Sequence, residues 1–103
     1  MDEDVVLVDP WADLRGGGPE EEAERLRIAA EIRAEVVTGH ALHGIELDVV
    51  GRSFAKDDVL VRVRDGRWAI VHLTYQRPDT PPWPGTRFFD TTLEVEAALI
   101  DGA

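Results

Sequence analysis

The pattern of apolar and polar positions along the chain predicts two helices and three strands. Aliphatic residues recur every four positions at Ile28, Ile32 and Val36, which is the spacing of one helix face. We expect this helix to run from about residue 20 to 38, with Gly39 just past its end. Its other faces are rich in Glu and Arg, so the pattern predicts an amphipathic cover for a sheet.

Three segments alternate in the way that strands do. They are Ile45–Arg52, Val59–Arg64 and Trp68–Tyr75. Asp65 and Gly66 separate the second from the third and are a strong hairpin signal. These segments therefore predict an antiparallel meander.

The register of the hairpin depends on its turn. A two-residue turn places Val63 opposite Trp68, whereas a loop with a glycine bulge places it opposite Arg67. Only the bulged loop gives a uniformly apolar face, and we therefore predict it. That face holds Val59, Val61, Val63, Ala69, Val71 and Leu73.

A proline-rich stretch and a short helix are expected to complete the chain. Four prolines surround Trp83 between Arg77 and Thr86, which excludes helix and central strand and predicts an extended loop. Thr91 and Glu94 have the spacing of a capping box, so a helix is expected from there to about Ile100. Its apolar face is predicted to hold Phe89, Leu93, Ala97 and Ile100.

The first 18 residues differ from the rest. Val5 to Val8 and Trp11 lie among acids, and three glycines, Gly16 to Gly18, follow as a hinge. This acidic leader could remain disordered, join its own domain as an extra strand or dock on another protein. We favour docking on its own domain. The predicted organisation is a leader and hinge at 1–18 and a single α+β domain at 19–103, in the order α-β-β-β-α with both helices on one face.

Charge narrows the choice of partner. Residues 1–38 carry eleven acids and four basic residues, and the whole chain has a formal net charge of −10. Nucleic acids and anionic membranes are disfavoured because such a surface repels polyanions. The same field accelerates encounter with a basic protein. The chain has no cysteine and begins with acids where a secretory signal has basic residues, so we expect a cytoplasmic protein.

The middle of the chain carries a resemblance. From about Glu35 to Asp90, the segments GHALHG, KDDVLVRVRDGRWAIVHLTY and PPWPGTRFFD occur in that order. In this the chain resembles an uncharacterised family of small bacterial proteins with GHxLHG, DDVL, DGRWAxVHLTY and PPWPxT segments. The resemblance implies a bacterial origin and brings no activity with it.

Histidine is the residue type that could bind a metal. His40 and His43, with His72 or Glu46, could supply three ligands to zinc. His40 directly follows a glycine at a helix end, however, where loop packing and capping explain it without a metal. We therefore predict no metal and no cofactor.

His72 suggests catalysis more than any other residue. In the bulged register it lies opposite Asp58, and an Asp-His pair can orient an imidazole as a general base. A structural hydrogen bond between strands explains the pair equally well. No nucleophile stands out, since Ser53 is the only serine and is placed in a turn.

The second face of the predicted sheet is mixed, and both helices are expected to cover the first. The mixed face with the proline loop is the predicted partner-binding surface. Trp68 is expected to make a cation-π pair with Arg62, and Trp83 either closes the core, which we favour, or projects as an anchor. The predicted partner-binding residues are Leu60, Arg62, Arg64, Trp68, Ile70 and Trp83.

These observations predict a small acidic protein-binding module, of the size and charge of an inhibitor or immunity-type protein that masks a basic active site. Self-association through the mixed face is a second way to cover it. The alternative is a small hydrolase that uses His72 and Asp58.

Overall fold

The computed structural model describes residues 5–76 and 83–102. Within them the chain forms an α+β domain with two helices and five strands. The elements are β1 Trp11–Asp13, α1 Pro19–Glu35, β2 Leu47–Ser53, β3 Asp58–Val63, β4 Trp68–His72, β5 Gly85–Phe89 and α2 Thr92–Gly102. Most of the proline-rich loop, residues 77–82, and the first four residues lie outside the described part.

The strands form one antiparallel sheet in the order β1-β2-β3-β4-β5. The predicted meander is confirmed as β2, β3 and β4, but the prediction of three strands missed β1 and β5. β1 pairs with the end of β2, so the described part of the leader docks on its own domain as an extra strand. β5 follows the proline-rich loop and pairs with β4.

The hairpin between β3 and β4 has the predicted bulged loop. Val61 pairs with Ala69 and Arg62 with Trp68. The backbone N–H of Val63 donates to the carbonyl of Arg67 at 2.8 Å, and Gly66 has a φ of +98°. A β-carbon is disfavoured at such a φ, which explains the glycine.

The two helices lie on opposite faces of the sheet, so the prediction that both cover one face is wrong. Ile28, Ile32 and Val36 pack with the valines of β3 on one face. Val95 and Leu99 of α2 pack with Leu60, Trp68 and Ile70 on the other. Because neighbouring strand residues alternate between faces, β3 contributes to both cores.

α1 ends at Glu35 and not near residue 38. Val36 is already extended, with φ −88° and ψ +109°. The residues at 36–38 are Val, Val and Thr, which are β-branched and poor helix formers. Gly39 does have a positive φ of +99°, but it lies in the following turn.

The predicted face of α2 is also wrong. Its capping box is present, since the N–H of Glu94 donates to Thr91 Oγ1 and the N–H of Thr91 donates to Glu94 Oε1. Leu93, Ala97 and Ile100 are nevertheless exposed, and Val95 and Leu99 are buried. Because two residues span about 200° around a helix, the buried stripe lies on the opposite side of α2 from the predicted one.

No helix in the described part of the chain is both long and apolar enough to cross a membrane.

Candidate functional site

The predicted partner-binding residues on the second face are mostly buried. Leu60 is fully buried, and Trp68 and Ile70 are nearly so. They form a second core with Val5 and Trp11 of the leader and with α2. The expectation that they are open to a partner is therefore wrong, because the leader and α2 cover this face. A partner could reach them only by displacing those segments.

Of the other three predicted residues, Arg62 and Arg64 lie together at the end of β3, and Trp83 lies at the opposite end of the sheet. Arg62 is half-buried with its guanidinium 4.4 Å from the centre of the Trp68 ring, which is the expected cation-π pair. Arg64 is exposed and forms an ion pair with Glu46. Trp83 is 53% exposed, so the favoured closure of the core by this side chain is wrong, and Pro84 is buried beside it instead.

The predicted pair of His72 and Asp58 is present. The two residues are cross-strand partners, and His72 Nδ1 lies 2.7 Å from Asp58 Oδ1. Ser53 Oγ is buried and accepts hydrogen bonds from the N–H groups of Ala55 and Lys56. Thr74 Oγ1 donates to Glu35. In the described part of the chain, the hydroxyls of Ser53 and Thr74 thus have structural partners.

His40 has a structural role. Its Nδ1 accepts the N–H of Leu42 at 3.0 Å, so Nε2 carries the proton and donates to the carbonyl of Pro84 at 2.9 Å. Both ring nitrogens are therefore engaged, whereas His43 is exposed. No group of three or more His, Cys, Asp or Glu side chains that could bind a metal occurs among the described residues.

Three exposed aromatic residues lie at one end of the sheet, where β2 turns into β3 and where β4 leads to β5. Phe54 is in the first connection, and Tyr75 and Trp83 are in the second. The second connection begins and ends at this edge, because Gly85 pairs with His72. We call this surface, formed by Phe54, Tyr75 and Trp83, the aromatic end.

Carboxylates surround two of these rings. Arg52 lies 5.8 Å from the centre of the Phe54 ring and forms an ion pair with Glu24 of α1. A narrow crevice brings Arg52 together with Asp57, Asp58 and Tyr75. Near the Phe54 and Tyr75 rings, Arg52 therefore lies among the carboxylates of Glu24, Asp57 and Asp58.

Burial and nearby charges change the pKa of the Tyr75 hydroxyl. Partial burial raises the pKa of its hydroxyl, and Arg52 opposes this rise. Asp57, Glu31 and Glu24 raise the pKa further, since each disfavours the phenolate. The ring therefore remains a neutral hydrogen-bond donor at the pH of a cell.

Glu35 positions Tyr75. The Glu35 carboxylate is fully buried and accepts three hydrogen bonds, from the N–H and Oγ1 of Thr74 and from the N–H of Tyr75. Tyr75 itself has a φ of +57°, which is uncommon for a residue other than glycine. The last residue of α1 thus fixes a turn that presents the tyrosine ring to solvent.

A cleft of about 910 Å³ lies at the opposite end of the sheet, beside the Asp65–Gly66 turn. It is lined by the end of α1, the segment from Leu42 to Asp48 and the end of β3, and it is open to solvent. Its floor consists of buried side chains, Ile32, Val36, Leu42 and Val63. Its rim carries Arg33, Arg62, Arg64, His43, Glu46 and Asp48.

Sequence reasoning named Tyr75 as an aromatic residue but missed Phe54 and the cleft. Phe54 had a usable signal, since it directly follows a strand and begins the turn segment FAKD, in which an apolar ring is unexpected. The cleft had none, because its lining comes from segments far apart along the chain. A scan against protein-family models and searches of curated proteins and of solved structures found no match to this chain.

Proposed function

We propose that this protein is a small protein-binding module of bacterial origin, and that it binds a basic partner through the aromatic end. The observation that carries the proposal is the exposure of Phe54, Tyr75 and Trp83 at one end of a strongly acidic domain. Exposed rings among carboxylates match a partner that presents arginine or lysine.

The backbone at Tyr75 supports this proposal. Glu35 accepts the Tyr75 N–H and so holds the turn that presents the ring. A turn that is already formed costs less conformational entropy on binding than one that must be ordered, so more of the contact energy appears as affinity. Such a surface suits an inhibitor or immunity-type protein that covers a basic active site.

Charge supports the proposal in a second way. The carboxylates of Glu24, Glu31 and Asp57 all disfavour ionisation of the Tyr75 hydroxyl and so raise its pKa, which means that the ring lies in a region of negative charge. A partner that brings cations to this site replaces like-charge repulsion with attraction. We expect the association rate, more than the dissociation rate, to depend on salt.

The hydrolase alternative receives less support. The His72 side chain is 55% exposed, and the crevice beside Asp58 is too narrow to enclose a substrate. Most enzymes bury a small substrate in a pocket much larger than this. Contact with a partner surface needs no such pocket.

The test is capture of partners from a bacterial lysate on the immobilised protein and on variants. The variants are Phe54→Ala, Tyr75→Ala and Trp83→Ala, and the control is Leu93→Ala, which removes an equally exposed apolar side chain from α2. We expect a basic protein to be retained by the parent and the control. At least one aromatic variant should bind it about 30-fold more weakly, which is roughly 2 kcal/mol.

A charge variant sharpens the test. Asp57→Asn should slow association with the captured protein and reduce the dependence of that rate on salt, while dissociation changes little. If folded aromatic variants retain the same proteins as the parent with equal affinity, the aromatic end is not the binding surface and the proposal is wrong.

A further inference from the structure

The cleft beside the Asp65–Gly66 turn has the size and floor of a small-molecule site. Its volume of about 910 Å³ is within the range of ligand pockets, which is about 300–1,000 Å³. Ile32, Val36, Leu42 and Val63 form an aliphatic floor, and Ile45 stands at the mouth, 38% exposed. An apolar group would bury its surface here against side chains that are already ordered.

The rim reverses the charge balance of the chain. The whole sequence has 21 acidic and 11 basic residues. The cleft has three arginines and His43 against Glu46 and Asp48. On so acidic a protein, this local excess of arginine favours the binding of an anion at the cleft and not at the aromatic end.

Two of the three arginines already have partners. Arg64 forms an ion pair with Glu46, and Arg62 lies over the Trp68 ring. Arg33, in the last turn of α1, is exposed and forms no ion pair with any described residue. Its guanidinium can bind a carboxylate or a phosphate through two parallel hydrogen bonds.

We propose that this cleft binds a small organic anion with an apolar body, such as a medium-chain carboxylate. The apolar body lies on the aliphatic floor and the anionic group binds Arg33 at the rim. Asp48 limits the ligand to one with a single compact anionic group, because further negative charge would approach this carboxylate. The site lies at the other end of the sheet from the aromatic end and does not depend on the proposed partner.

The first measurement uses two probes. The dye 8-anilinonaphthalene-1-sulfonate is an anion with an apolar body, and its fluorescence should rise when it enters the cleft. Octanoate should displace it, whereas octylamine and octanol at the same concentration should not. Equal displacement by all three would show that the cleft binds apolar groups without selectivity for an anion, and it would overturn the proposal. The absence of dye binding would also overturn it.

Variants then locate the binding. Arg33→Ala should weaken octanoate binding at least 10-fold, and Ile45→Trp should block it by filling the mouth. Arg27→Ala, which removes another exposed arginine from the same helix, should bind as the parent does. Melting curves must show that each variant is folded. Unchanged octanoate affinity in folded Arg33→Ala and Ile45→Trp proteins overturns the assignment.

A third measurement needs no variant. In a nitrogen-proton correlation spectrum, octanoate should shift the amide signals of Gly44 and Gly66, which line the cleft, and leave Gly85 unmoved. Shifts confined to Gly85 and the aromatic end would overturn the proposal. Dimerisation in sedimentation experiments that closes the cleft and excludes octanoate would assign it to a second copy of the chain and would also overturn it.

Discussion

The two faces of the sheet are built from the same strands but closed in different ways. The α1 face is almost entirely aliphatic, and α1 packs on it together with Leu14 of the leader and Leu42 of the loop after the helix. The α2 face contains Trp11, Trp68 and the half-buried Arg62, and it is closed jointly by the leader and α2. The first face is closed mainly by one amphipathic helix, whereas the second is assembled from both ends of the described chain.

A strand face with both polar and apolar residues can therefore still form part of a core. Aromatic residues bury large areas, and an arginine can lie over an indole ring with its charged group toward water. Arg62 over Trp68 is such a case. Polar residues on a strand therefore indicate the border of a core as readily as a solvated face.

The largest expected effect tests whether the two faces are equally important for stability. Leu60 and Val61 are neighbours in β3, both fully buried, one on each face. Leu60→Asp and Val61→Asp should each lower the free energy of unfolding by about 4 kcal/mol, because each buries an unpaired charge. Urea unfolding measures this, with the exposed Val6→Asp as control, for which we expect a change of less than about 0.5 kcal/mol.

The outcome separates two descriptions of the α2 face. If Leu60→Asp is as well tolerated as Val6→Asp, the leader and α2 do not close that face in solution. The face would then be available for partner contact after all.

Much of the α1 side could be predicted from the sequence. The four-residue recurrence in α1 and the alternation of β3 and β4 are strong local signals, and the Gly66 bulge sets the register. The α2 side depends on contacts between residues about 90 positions apart, such as Val6 N–H with Glu96. Local periodicity cannot report such contacts. A three-residue strand such as β1 is also too short for any period to be seen.

Gly51 is the one residue of β2 whose type indicated the position of the leader. A β-carbon at Gly51 would lie 2.5 Å from Leu7 Cδ1 and 2.7 Å from the carbonyl oxygen of Ala12. A glycine inside a strand often marks the close approach of another backbone, and here that backbone is the leader. Of the candidate site, Arg64 was predicted to be available and is exposed, whereas Trp83 was favoured to close the core and is exposed instead. Nothing in the spacing of these residues indicated the aromatic end or the cleft.

The second prediction concerns the contribution of the leader to the α2 face. Trp11 is buried in that core, and its Nε1 has no hydrogen-bond partner among the described residues. Trp11→Ala should lower the free energy of unfolding by about 3 kcal/mol through the cavity that it leaves. Trp11→Phe should cost less than about 1 kcal/mol, because the lost area is offset by removing an unsatisfied N–H.

Thermal unfolding followed by circular dichroism distinguishes these variants, and Val8→Ala serves as an exposed control from the same segment. If Trp11→Phe were as harmful as Trp11→Ala, the indole N–H would have a partner that matters. If neither had an effect, β1 would contribute nothing to closing the face.

The smallest expected effect compares one ion pair near each face as the pH falls. On the α1 side, a hydrogen bond from Arg27 and a further one from Arg52 hold the pKa of Glu24 below its ordinary value of 4.5, although burial opposes the shift. On the leader side, hydrogen bonds from Arg15 hold the pKa of Asp13 below 3.8, again against burial, and Arg15 also donates to the carbonyl of Val5 at 2.7 Å.

A carboxylate whose pKa is lowered by folding stabilises the protein above its unfolded pKa and loses this contribution as the pH falls through the folded value. We therefore expect Glu24→Gln to cost about 0.5 kcal/mol at pH 7 and nothing once the pH is well below 4.5. Asp13→Asn should behave in the same way at a lower pH and with a smaller effect, since the Asp13 side chain is 46% exposed.

Urea unfolding of both variants and the parent between pH 7 and pH 2.5 measures these differences. A deficit that stays constant over that range would show that the substitution acts through packing and not through the charge.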